Sequence, residues 1–180
     1  DNAYRITAGA PGLLARAWTA GGIRFFHVTT DFVFDGAKSR PYEPADAPGP
    51  LGVYGASKLA GEEAVAEALP AALILRTGWV YSSGPANFLN TMLRLHSERD
   101  ELRVVADQVG TPTAAHSLAG ALWAAAQRPD VTGIYHYSDA GACSWYDFAV
   151  ALGEEAVAAG LITDAARVLP IATAEYHMPE

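Results

Sequence analysis

Lysine is almost missing from this chain of 180 residues: it occurs twice, at Lys38 and Lys58, and every other basic residue is arginine. Cysteine occurs once, at Cys143, which excludes an internal disulfide and a cysteine-rich metal site. Long apolar runs are absent as well, since none approaches the roughly 18–20 residues that span a bilayer. The opening Asp1-Asn2-Ala3-Tyr4 has no basic stretch and no apolar one, so no signal peptide is visible. Positive charge is in deficit: 12 basic residues face 20 acidic ones for a net charge of −8. That balance argues against nucleic acid or a membrane surface as the partner. A reducing, cytoplasmic setting is the default expectation.

What is present is apolar and small. Alanine occurs 36 times, 51% of residues are hydrophobic, and mean hydropathy is +0.10, so a sizeable core is available. The length is near that of one ordinary domain. Periodicity and punctuation predict a helix from Gly12 to Ala20, with Leu13, Leu14, Ala17 and Trp18 on one face and Gly21-Gly22 closing it. Ile23 to Thr30 is a near-continuous apolar and β-branched run, read as a strand buried on both faces. Asp35 to Leu51 is a loop with four prolines, long enough to be functional. A helix over Val53–Leu69 follows, ended by Pro70, and then a second buried strand over Ala72–Tyr81. Further elements are a helix at Phe88–Ser97, a strand at Leu102–Ala106, a helix at Ser117–Gln127 and a strand at Ile134–Tyr137. A capping box, Ser144-x-x-Asp147, opens a helix over Trp145–Ala159, and Val168–Ile171 forms a last strand. Strands alternating with helices of this length predict an α/β fold with a mainly parallel sheet.

Two patterns bear on chemistry. Gly9-Ala10-Pro11-Gly12-Leu13-Leu14-Ala15 matches a loose dinucleotide-binding fingerprint, with Asp31 about 20 residues on. No apolar strand precedes it, so it reads instead as a helix N-terminus with Pro11 in the first turn. The stronger pattern is Tyr54-Gly55-Ala56-Ser57-Lys58. Positions i and i+4 share a helix face, and an ammonium beside a phenol favours the phenolate, the arrangement for proton exchange with a carbonyl or alcohol oxygen. The preceding strand ends in Thr29-Thr30-Asp31, at the carboxyl end where α/β sheets bind ligands. Thr30 is therefore placed to donate to the same oxygen.

Thr29-Thr30-Asp31-Phe32-Val33-Phe34-Asp35-Gly36, Pro41-Tyr42-Glu43 and Pro50-Leu51-Gly52-Val53-Tyr54-Gly55-Ala56-Ser57-Lys58-Leu59-Ala60-Gly61-Glu62 together resemble the dTDP-4-dehydrorhamnose reductases, extended members of the short-chain dehydrogenase/reductase superfamily. Leu75-Arg76-Thr77-Gly78-Trp79-Val80-Tyr81, Asn87-Phe88, Val104 to Thr113, Gly133 to His136 and Ser144 to Ala149 agree with it. The resemblance implies a Rossmann-like doubly wound fold with a small α/β substrate-binding lobe. Residues 1–85 are then the later part of the cofactor-binding domain, and 86–180 mainly the substrate lobe, interleaved with the sheet. It implies NADPH as cofactor, with NADH as the alternative, and reduction of the C4 ketone of dTDP-4-dehydrorhamnose to dTDP-L-rhamnose.

By the same resemblance Thr30, Tyr54 and Lys58 are catalytic. Thr29, Tyr54, Lys58, Thr77 and Gly78 meet the cofactor, and Thr30, Asp31, Trp79, Asn87, Gln108 and Thr113 meet the nucleotide-sugar. A homodimer and a bound Mg²⁺ occur among relatives, but no metal-ligand cluster is legible here. Phe32, Gly52 and Gly78 depart from the usual Tyr, Asn or Ser, and Ser. Thr7 stands where many relatives carry an Asn of a proton relay. Both ends of the chain look truncated by this comparison, and the chain alone is expected to bind NADPH negligibly. Other readings are an epimerase or dehydratase of the same superfamily and a non-catalytic regulatory subunit. Phe32, where a dehydratase needs an acid, argues against the dehydratase.

The remaining candidates have plainer readings. His27 and His136 belong in strands, and His96, His116 and His177 at surfaces. Cys143 precedes a helix but has no base nearby and is inert. Met92, Trp123, Trp145 and Phe148 have core spacing, while Glu62-Glu63 and Asp100-Glu101 are solvated.

Overall fold

The computed structural model describes residues 2–18, 23–84 and 86–176. In chain order the elements are α1 (Asn2–Tyr4), a π-helical turn (Arg5–Gly9), α2 (Ala10–Trp18), β1 (Phe26–Thr30), α3 (Val53–Ala68), β2 (Leu73–Thr77), β3 (Val80–Tyr81) and α4 (Phe88–Glu98). There follow β4 (Glu101–Val105), β5 (Val109–Gly110), β6 (Thr113–Ala114), α5 (Ala115–Ala126), β7 (Gly133–His136), β8 (Cys143–Ser144), α6 (Trp145–Ala158) and β9 (Arg167–Ile171). The chain folds as two compact units, residues 1–78 with 118–138, and residues 79–117 with 139–180.

In the first unit β1, β2 and β7 form a parallel sheet in that order. The register sets Thr29 beside Arg76 and Thr30 beside Thr77, and Arg76 beside His136. All five residues of β2 are buried, as the apolar run requires for a strand with a neighbour on each side. Full burial of Leu73, Ile74 and Val65 stabilises by about 1.5–3 kcal/mol each. Ala15, Val65, Ala72 and Ile74 form this unit's core, with Phe25, Leu69 and Ile134 packed on it.

Three expectations are corrected here. The first strand begins at Phe26, not Ile23, and it is not buried on both faces, since Val28 within it is 37% exposed. The first helical stretch begins at Asn2, so Pro11 lies in its middle and not in its first turn. The π turn accommodates it: Ala10 N–H donates to Arg5 O, five residues back, and Pro11 has no N–H to offer Thr7 O, four residues before it. That carbonyl sits where a Cβ on Gly61 of α3 would be, 2.2 Å away. A Cβ on Gly12 would likewise meet Ala64 at 2.9 Å. The glycine of the apparent cofactor fingerprint thus serves a close helix crossing. Large residues therefore face outward, and Leu13, Leu14 and Trp18 are exposed. The expected end of this helix at Ala20 and its Gly21-Gly22 stop lie outside the described residues.

In the second unit β4 and β9 pair in parallel, β3 and β6 in parallel, and β5 and β8 antiparallel. Met92, Leu102, Val104, Ala149 and Ala166 make its core, joined by Phe88, Leu95, Trp145 and Leu152. The predicted capping box is formed in both directions between Ser144 and Asp147. The expected single strand over Ala72–Tyr81 is split into β2 and β3, because Trp79 between them has φ +50°. Trp123 is 72% exposed and not a core residue. His96 is buried and not at the surface: its Nε2 lies 3.0 Å from Ala149 O, and only a glycine, Gly153, fits against its ring.

Candidate functional site

Tyr54 and Lys58 lie one turn apart near the start of α3. Lys58 Nζ donates to Val28 O on β1 at 3.2 Å, tying the helix to the strand that carries Thr29 and Thr30. Burial holds the Lys58 ammonium below its ordinary pKa, and Glu62 opposes that shift. The first turn of α3 presses directly on the turn after β1. A Cβ on Gly55 would meet Phe32 O at 2.2 Å, so only glycine allows this approach. Phe32 meets the Tyr54 ring edge-on, centroids 5.9 Å apart, and Tyr54 is 55% exposed.

Thr30 is buried, and its hydroxyl caps the short 3₁₀ turn Asp31–Val33 by accepting from Phe32 N at 3.3 Å. The same hydroxyl donates to Asp31 Oδ1 at 3.2 Å. Although Asp31 is open to solvent on one side, desolvation of its carboxyl raises its pKa, against the Thr30 hydrogen bond and backbone donors. The carboxylate lies where Gly78 would carry a side chain, 2.3 Å from that Cβ position, so a side chain there would displace Asp31. Thr29 and Thr77 are buried, and neither hydroxyl has a hydrogen-bond partner among the described residues. A buried hydroxyl left so costs about 1–3 kcal/mol, and the two lie in adjacent strands beside this cluster, Thr29 next to the end of β1 and Thr77 at the end of β2. The first unit therefore brings together Thr29, Thr30, Asp31, Tyr54, Lys58, Thr77 and Gly78.

Sequence reasoning missed what lies beneath. Glu62, expected on a solvated face, is 2% exposed, and Arg76 in the middle of β2 is 4% exposed. Arg76 Nε and Nη2 grip the Glu62 carboxylate at 2.7–3.1 Å. Arg76 also donates to Pro44 O and lies over the Phe34 ring. The signal was available: a charged residue inside a wholly buried strand must be paired. Phe34 stacks on Tyr42, and His136 Nδ1 lies 3.1 Å from Tyr42 O, so the proline-rich loop is fastened to the sheet here. A cavity of about 330 Å³ between that loop and α3 has this ion pair in its lining.

Burial lowers the pKa of His27, with Lys58 adding to the effect and Glu62 opposing it. Burial also lowers that of His136, next Arg76, against Tyr42 O, Glu62 and Asp46. A histidine held neutral in the fold contributes stability above its unfolded pKa, near 6.5, and that contribution is lost as pH falls through the folded value. We expect the melting temperature to drop between pH 7.5 and 5.5, and the drop to shrink in a His27→Gln/His136→Gln variant. An unchanged pH profile in that variant would contradict the assignment.

In the second unit Trp79 stacks on Trp145, centroids 3.4 Å apart and planes 6° from parallel. Its left-handed backbone costs a bulky residue roughly 1–2 kcal/mol. Thr113 is fully buried and meets this group through its backbone, its N–H donating to Trp79 O at 3.1 Å while its hydroxyl turns to Thr111 O. Gln108 accepts from Trp145 Nε1 and donates to Thr173 Oγ1. Asn87 caps α4 and donates to Ser82 O and Gly84 O. Trp145, read only as core, thus touches both Trp79 and Gln108. Burial, then Asp147, pushes the Cys143 thiol up, in keeping with an inert cysteine. Among the described residues no group of three or more His, Cys, Asp or Glu is placed to hold a metal ion, and no helix is long and apolar enough to cross a membrane.

The model of the RmlD substrate binding domain matches residues 1–180. The chain belongs to that family. It is 43% identical to the dTDP-4-dehydrorhamnose reductase of Burkholderia thailandensis, over 97% of this chain and 62% of that protein. It is 41% identical to the dTDP-4-dehydrorhamnose reductase of Escherichia coli K12, over 98% of this chain and 60% of the relative. The crystal structure of dTDP-4-dehydrorhamnose reductase from Bacillus anthracis in complex with NADP superposes with a TM-score of 0.88 at 37% identity, covering 96% of this chain and 59% of that one. The chain spans about 60% of the length of these relatives. The Rossmann-like α/β fold expected from the sequence is that of this neighbour.

Proposed function

We propose that this chain carries the proton-transfer half of a nicotinamide-dependent reductase. Its substrate is dTDP-4-dehydrorhamnose, reduced at C4 to dTDP-L-rhamnose in nucleotide-sugar biosynthesis. The observation that carries the reading is the fastening of Tyr54 and Lys58 to the end of β1, by Lys58 on Val28 O and by Gly55 against Phe32 O. Relatives at 41–43% identity bear the reductase name, which supports the substrate class.

The cofactor, NADPH with NADH as the alternative, supplies a hydride to the ketone carbon when bound. The residues present fit such a group. Thr29 and Thr77 offer buried hydroxyls without partners among the described residues, and Lys58 Nζ, which donates to Val28 O, keeps donors for ribose hydroxyls. The Bacillus anthracis neighbour was solved with NADP. Tyr54 gives its hydroxyl proton to the C4 oxygen, and the nearby Lys58 charge stabilises the phenolate that remains. Thr30 turns its hydroxyl from Asp31 Oδ1 to that oxygen, holding it as negative charge develops. Trp79, Asn87, Gln108 and Thr113 serve the nucleotide-sugar. The boundary near residue 85 between cofactor and substrate parts, a homodimeric assembly and a cytoplasmic location belong to the same proposal.

An epimerase or dehydratase is the second reading. The 58% exposed Phe32 ring supplies no acid for dehydration, and retention of Thr30, Tyr54 and Lys58 disfavours a silent regulatory subunit. The deciding assay follows NADPH oxidation by the full-length protein with dTDP-4-dehydrorhamnose. Turnover to dTDP-L-rhamnose is expected, and absence of turnover with intact NADPH binding overturns the reading.

A further inference from the structure

We propose that Trp145 is a positioning residue for Trp79, fixing the plane of the indole that meets the sugar. The inference rests on the assignment of Trp79 to the nucleotide-sugar site.

Trp79 has little local reason to hold one orientation. It is only partly buried, its backbone is left-handed at φ +50°, and it separates two strands that do not continue one another. Its orientation comes from contacts on the ring itself. Trp145 covers one face at 3.4 Å and 6°, and Gly110 lies against Cε2, Cζ2 and Nε1, where a Cβ would come within 2.4–2.7 Å. Trp145 is fixed in its turn. It is the first residue of α6, directly after the N-cap Ser144 and inside the capping box, and Phe88 packs on it at 4.6 Å. Its indole N–H donates to Gln108 Oε1 at 3.2 Å. Gln108 Nε2 donates to Thr173 Oγ1 at 3.1 Å, and Thr173 donates to Asp107 through both backbone and hydroxyl. The Thr173 hydroxyl, followed by its backbone N–H, keeps the Asp107 carboxyl below its usual range, so the far end of the tether stays charged. The Gln108 amide is bonded at both ends within this chain of contacts, and by way of it Gln108 acts on the sugar through the two indoles.

Two indoles stacked this closely couple their transitions and give an exciton couplet in far-ultraviolet circular dichroism, which reads the stack without any turnover. Three variants of the full-length protein separate the possibilities: Trp79→Phe, Trp145→Phe and Gln108→Leu. Gln108→Leu leaves both indoles in place and only loosens the tether, so it guards against a folding defect in the tryptophan variants. We expect the couplet in the unaltered protein, its loss in both tryptophan variants and its weakening in Gln108→Leu. KM for the nucleotide-sugar should rise roughly three- to tenfold in all three, the range one aromatic stack supports, with kcat within about twofold. A raised KM in Trp79→Phe alone, or no couplet in the unaltered protein, overturns the proposal. An unchanged KM in Trp79→Phe overturns the pocket assignment and this proposal with it.

Discussion

Truncating Glu62 to alanine is expected to remove about 3–5 kcal/mol of folding stability, because it leaves Arg76 as a buried charge with no opposing charge. Both side chains are almost wholly inaccessible, so the guanidinium left behind is poorly solvated. A domain with a margin of about 5–15 kcal/mol loses much of it. The urea midpoint should fall accordingly with little change in slope. The paired variant Glu62→Leu/Arg76→Met should recover most of the loss, since an apolar pair of similar volume removes the desolvation cost together with the attraction. A Glu62→Ala midpoint close to the unaltered one would show that the pair is wetter than its burial indicates.

Tyr54→Phe is expected to lower kcat by roughly 10²–10⁴, the range a positioned general acid supplies, while cofactor affinity stays within a few-fold. The ring keeps its edge-on contact with Phe32, so the variant should fold normally and its melting temperature serves as the control. Steady-state NADPH oxidation by the full-length protein measures the first quantity and fluorescence titration the second. A kcat within tenfold of the unaltered value would remove Tyr54 as the proton donor and leave Thr30 or solvent to fill that role.

The alternation of strands and helices, the proline-rich loop and the Ser144–Asp147 box were legible because each is a local rule written in neighbouring residues. Thr30, Tyr54 and Lys58 were legible for the same reason, since a strand end and one helical turn bring them into view. The misread positions depend on distant partners. Glu62 looks like half of an ordinary surface pair until Arg76, on another element, buries it. Trp145 has the spacing of a core residue, and its tie to Trp79 and Gln108 follows from how α6, β5 and the residues after β2 meet in space. Gly12 fits a cofactor fingerprint in sequence and a helix crossing in the fold, since both uses need a backbone free of a Cβ. Outward-facing leucines on α2 follow from that crossing and escape any periodicity that assumes large residues go inside.

The division into two units of two segments each bears on how the chain is made. The sheet of the first unit receives its third strand, β7, only after residues 79–117 of the second unit have been synthesised. The fully buried β2 thus emerges from the ribosome with one flank uncovered and waits for a partner far along the chain. Non-local pairing of this kind delays folding and exposes strand edges meanwhile. Neither unit is a contiguous stretch, so a cut at any single peptide bond within residues 79–138 divides both of them. Production of this protein should therefore respond to lower temperature and slower synthesis more than to shortening either unit.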